Sequence, residues 1–98
     1  MDGKARMKLN VLGEIYAVKR EPIEKQGLMG LCDPNTKTIT IAKELVGEEY
    51  WSTLIHEMVH ARDFELGFDQ VLSAQAMEVN AETMAKVLMK NFALRFKK

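Results

Sequence analysis

The segment "TITIAKELVGEEYWSTLIHEMVHARDFELG", residues 38–67, changes its hydrophobic period partway along. Thr38, Ile39, Thr40 and Ile41 alternate with the period of two that belongs to a half-buried strand. From residue 48 to residue 66 there is neither proline nor internal glycine. Acids open that run, and Gly67 is a natural stop just past its end. A strand therefore gives way to a helix near Gly47.

Upstream, "MKLNVLGEIYAVKR" (residues 7–20) places Leu9, Val11, Ile15, Tyr16 and Val18 around a break at Leu12-Gly13, which reads as a hairpin. "EPIEKQG" (21–27) is a loop by its proline, charges and glycine. A second hairpin follows in "LMGLCDPNTKTITIA" (28–42), where Asp33-Pro34-Asn35 supplies the turn chemistry. Downstream, "FDQVL" (68–72) connects to a second helix with Ser73 as its N-cap, running to about residue 92. The expectation is an α+β fold: a small antiparallel sheet of three to four strands in two hairpins, followed by two helices, in one domain spanning residues 1–98.

Composition narrows the class. A chain of 98 residues, 47% apolar and 29% charged, can bury one modest core as a soluble globular protein. No run approaches the roughly 18 apolar residues of a membrane helix. Fourteen basic and fourteen acidic residues cancel, which argues against bulk nucleic-acid binding. The basic end "KNFALRFKK" reads as cations complementing a helix C-terminus. The opening "MDGKARMKLN" lacks the apolar core of a secretory signal, and Met7 is a candidate natural start. A single cysteine, Cys32, permits no intrachain disulfide and suits a reducing cytoplasm. In a strand it reads as a small buried hydrophobe rather than a metal-blocking thiolate.

The chain's two histidines, His56 and His60, lie four residues apart with Glu57 beside the first. With His56 at zero and about 100° per residue, His60 falls near about 40° and Glu57 near about 100°. Trp51, Leu54, Ile55, Met58 and Val59 fall between about 160° and 300° on the same count. One face can pack on the sheet while the other carries chemistry. Imidazoles at i and i+4 can hold one Zn²⁺, and the intervening glutamate is the base for a water that the ion activates.

An open zinc site needs a third protein ligand, and no histidine remains to supply it. The acids of the second helix are the most informative candidates. With Glu78 at zero, Glu82 lies near about 40°, and Met77, Ala81, Met84, Ala85 and Leu88 span about 240° to 340°. Two like charges bordering a buried stripe call for something positive between the helices. Glu78 is assigned as the third ligand and Glu82 as a hydrogen-bond partner of a ligating imidazole.

His56-Glu57-x-x-His60 followed by Glu78-x-x-x-Glu82 resembles the gluzincin metallopeptidases, whose pattern is HExxH…ExxxD; Glu82 stands where Asp is usual. The hairpin "GLCDPNTKTITIA" and the helix "EVNAETMA" are also similar to small phage and bacterial ImmA/IrrE- and SprT-like proteins, and the size is similar to the minigluzincins. The resemblance spans about residues 7–92. It implies a minimal zincin-like fold with a sheet edge, "TITIA" or "LMGLC", on which a protein or peptide substrate adds as a strand. Peptide hydrolysis also benefits from a donor to the developing oxyanion, for which Tyr16, Tyr50 and Arg62 are the candidates.

Two functions follow. The first is a zinc metallopeptidase acting on a restricted protein substrate, with Glu57 as base. The second is a non-catalytic protein-interaction module, a phage or bacterial regulator, with a structural or vestigial zinc site.

Overall fold

The computed structural model describes residues 7–92. The candidate extension before Met7 and the last part of the basic end lie outside the described residues. Strand β1 (Met7–Val11) turns through Leu12 and Gly13, both at positive φ (55° and 93°), into β2 (Glu14–Glu21). Two successive positive φ values match the right-handed twist of the flanking strands. The Asn10 side chain accepts a 2.7 Å hydrogen bond from the Gly13 amide. A short 3₁₀ turn, Ile23–Gln26, leads to β3 (Gly30–Asp33). The Asp33 carboxylate caps the next turn by accepting from the amides of Asn35 and Thr36, and β4 (Thr38–Ala42) returns. The expected hairpins are present.

Their association is not the expected one. The sheet order is β1-β2-β4-β3, and β2 pairs with β4 in parallel, so the sheet is mixed rather than antiparallel. Residues 22–29 stay at one end of the sheet and step across two strand spacings, about 10 Å. β4 then fills the gap, with Ala42 N–H on the Met29 carbonyl and Lys43 N–H on that of Glu21. The "TITIA" strand is therefore internal, and "GLCD" is one of the two edges, with β1 at the other.

Tyr16 and Val18 on β2, Ile39 and Ile41 on β4, and Val11 on β1 bury one sheet face against Leu54 and Ala61 of α1 (Gly47–Glu65). Trp51 and Met58 pack against the same cluster, as their helical spacing requires. α1 stops where Gly67 takes φ 77° and its amide reaches the Phe64 carbonyl. Ser73 accepts a 3.0 Å bond from the Ala76 amide, the N-cap of α2 (Ala74–Phe92). Ala81 and Ala85 are the buried residues of α2, and their small side chains let it lie close along α1. No helix among the described residues is long and apolar enough to cross a membrane.

At the far end of α1, Glu65 accepts a 2.7 Å hydrogen bond from the Tyr16 hydroxyl and pairs with Lys37. Lys37 also approaches Glu14 at 3.5 Å. This cluster ties the helix C-terminus to both hairpins.

Candidate metal centre

His56, Glu57 and His60 share one side of α1, but that side is not open to solvent as the helical count suggests. The β3 edge covers it from above and α2 flanks it, leaving Glu57 8% exposed. The imidazoles are partly enclosed, and their Nε2 atoms point together at 3.2 Å. α2 brings Glu78 to both: Oε2 lies 2.8 Å from His56 Nε2, and Oε1 lies 3.0 Å from His60 Nε2.

Donor atoms about 2.0–2.1 Å from a tetrahedral ion stand about 3.3 Å apart. The three side chains, brought to within about that spacing, form a group that could hold a metal ion. Two imidazole nitrogens and a carboxylate form a donor set of the kind that divalent transition-metal ions accept.

Glu57 stands beside this group without joining it. Burial, and after it the charge of Glu78, pushes its carboxyl up to about 7. A carboxylate so placed takes up a proton readily near neutral pH. Cys32 lines a cleft shared with His56, Glu57, His60 and Glu78, and packs against the core. Burial, then the charges of Glu57 and Asp33, pushes its thiol up to about 12, so it stays protonated and outside the three-residue group.

Glu82 departs from its expected role. It is exposed and, among the described residues, makes no hydrogen bond to either imidazole. It lines a second cleft instead, with Ser52 and Lys86. The three candidate oxyanion donors also lie elsewhere. Tyr16 is wholly buried in the core, its hydroxyl committed to Glu65. Tyr50 stands edge-on to Trp51 and beneath the Arg20 guanidinium. Arg62 donates twice to the buried Asp63 carboxylate, at 3.2 and 2.8 Å. None of the three lines either cleft around the group.

Those clefts share His56, Glu57 and Glu78, and along α1 one extends to Phe64 and the other to Ser52. One, of about 430 Å³, is walled by Leu31, Pro34, Phe64 and Met77. The other, of about 410 Å³, carries Ser52, Glu82 and Lys86. Both touch Gly30 at the start of the edge strand. Gly30 went unread in the sequence because its backbone is not left-handed and no turn marks it. No protein-family model, curated protein or solved structure matches the chain, so the centre is defined by its own geometry.

Proposed function

We propose that the chain is a zinc-dependent metallopeptidase of gluzincin type, cleaving peptide bonds in a restricted protein substrate. One observation carries the reading: Glu78 reaches both imidazoles within 3.0 Å while Glu57, the residue between them in sequence, is held buried beside the group. A surface pair of histidines has no use for a buried neighbouring carboxyl.

His56, His60 and Glu78 would hold the ion. Bound there, zinc supplies Lewis-acid polarisation of a carbonyl and acidification of water. Glu57 accepts the proton of the attacking water and returns it to the departing amine. The free edge of β3 pairs with an extended substrate, and the two clefts take side chains on either side of the cleaved bond. The single cysteine suits action in a reducing cytoplasm.

The test is elemental analysis of protein purified without chelator, with a cleavage screen on wild type and Glu57→Gln. One zinc per chain in both proteins, and cleavage by the wild type alone, is the expected outcome. Unaltered cleavage by Glu57→Gln refutes the mechanism.

A second reading is favoured by the clefts' lack of Tyr16, Tyr50 and Arg62. It is a protein-interaction module with a structural zinc site, which would bind zinc, cleave nothing, and keep its partner when Glu57 is replaced.

A further inference from the structure

Gly30 marks a close approach between the edge strand and α1. A Cβ added there would lie 2.7 Å from Thr53 Cγ2, 2.9 Å from Glu57 Oε2 and 3.0 Å from Glu57 Cγ. Comfortable carbon contacts begin at about 3.5 Å. Gly13, Gly27, Gly47 and Gly67 meet nothing within 4 Å, and each has a positive φ. Those four are glycine for conformation; Gly30 is glycine for space.

The space belongs to Glu57. Among the described residues this carboxylate makes no hydrogen bond or ion pair, although the residue is buried. Its position is therefore set chiefly by the side chains and backbone packed around it. One wall is Thr53, one turn earlier on the same helix, whose short branched side chain has only two favoured χ1 positions there. The other is the β3 backbone at Gly30. A methyl at position 30 cannot displace the threonine easily, so it must push the flexible carboxylate aside or lift the strand.

We propose that Gly30 is a positioning residue: its missing side chain seats the β3 backbone against Glu57 and fixes where that carboxylate stands relative to His56, His60 and Glu78. This rests on the metal-centre reading above. A shift of about 1 Å in a reacting group is enough for losses of about a hundredfold.

The test separates space at Thr53 from space at Glu57. Gly30→Ala alone meets both side chains and is expected to lower Tm. Gly30→Ala combined with Thr53→Ser removes the Cγ2 atom, leaving Glu57 as the contact. Thr53→Ser provides the baseline, and Glu57→Gln shows the effect of losing the carboxylate. Each protein is loaded with Co²⁺ and titrated with acetohydroxamate, followed by visible absorption. A hydroxamate chelating the ion also shares its proton with a neighbouring carboxylate, so its affinity reports the position of Glu57 without any substrate.

All variants should bind one Co²⁺. Glu57→Gln should weaken acetohydroxamate by about tenfold or more, as expected for a lost charge-assisted hydrogen bond. The Gly30→Ala/Thr53→Ser protein should weaken it comparably, and adding Glu57→Gln to it should weaken it little further. Binding within about twofold of Thr53→Ser overturns the role of Gly30 while leaving the centre intact. Absent Co²⁺ binding, or undiminished hydroxamate binding by Glu57→Gln, overturns the reading of the centre and the inference with it.

Discussion

Replacing Glu78 by alanine separates the metal centre from the fold that carries it. The Glu78 side chain is 54% exposed, and its partners are two imidazoles rather than a buried cation. An exposed pair of this kind contributes about 0–1 kcal/mol, so the metal-free variant should melt within a few degrees of wild type. Zinc should distinguish them. At about 100 times its dissociation constant a bound ion stabilises by about 2.7 kcal/mol. In a domain of this size about 1 kcal/mol moves Tm by about 4–8 °C, so wild type should gain roughly 10–20 °C. If removing one of three ligands weakens affinity about a hundredfold, about 0.4 kcal/mol remains, or about 2–3 °C. The assay is thermal melting with chelator and then with zinc. Full retention of the zinc-induced shift in Glu78→Ala would refute the ligand assignment. Glu82→Ala is the companion. A hydrogen-bond partner of a ligating imidazole is worth about 10–100-fold in affinity. The structure gives Glu82 no such bond, so this variant should keep the full shift.

Two further outcomes follow from the geometry. The Glu65 carboxyl is held below its usual range by Lys37 first and the Tyr16 hydroxyl second, while the Lys37 ammonium is raised, chiefly by Glu65. The depressed acid stabilises above its unfolded value of about 4.3, and the raised amine below its own of about 10.4. In urea melts the stability advantage of wild type over Lys37→Met should therefore be level between about pH 5 and 10 and shrink beyond both ends; an undiminished advantage below about pH 3 would contradict it. In the proposed peptidase, Phe64→Ala should reduce cleavage of peptides with a bulky apolar residue on the Phe64 side by about tenfold or more, and spare those with a small one. Mass-spectrometric profiling of a peptide mixture reads this, and an unchanged profile removes Phe64 from substrate selection.

The parts legible in the sequence are those governed by neighbours along the chain. The Leu12-Gly13 and Asp33-Pro34-Asn35 turns, the Ser73 cap and the Gly67 stop each depend on a few adjacent residues, and each stands where the local chemistry put it. The approach of Glu78 to the histidines was legible too, because the helical spacing put it beside an apolar stripe whose small Ala81 and Ala85 permit a close helix. Tyr16 was not. Alternation places it in a strand, yet its hydroxyl is claimed by Glu65, 49 residues away. Glu82 fails for a related reason: i+4 spacing gives it the same general direction as Glu78 but not contact with an imidazole.

The pairing of the hairpins is the deepest of these long-range choices, because both orders satisfy the same period-two alternation. It also decides what covers Glu57. With β4 inserted beside β2, β3 is left at the edge over the polar side of α1. Register sets Gly30 opposite Ile41 and Cys32 opposite Ile39. The large pair fills the core under the sheet, and the small pair faces the helix where the carboxylate stands. Had the hairpins met in simple meander order, Ile39 and Ile41 would occupy the edge. Side chains of that size have no room where even the Cβ of alanine would come within 3 Å of Thr53 and Glu57. The parallel β2–β4 pairing and the glycine at position 30 are thus two parts of one arrangement. Together they allow a buried acid to stand beside two histidines.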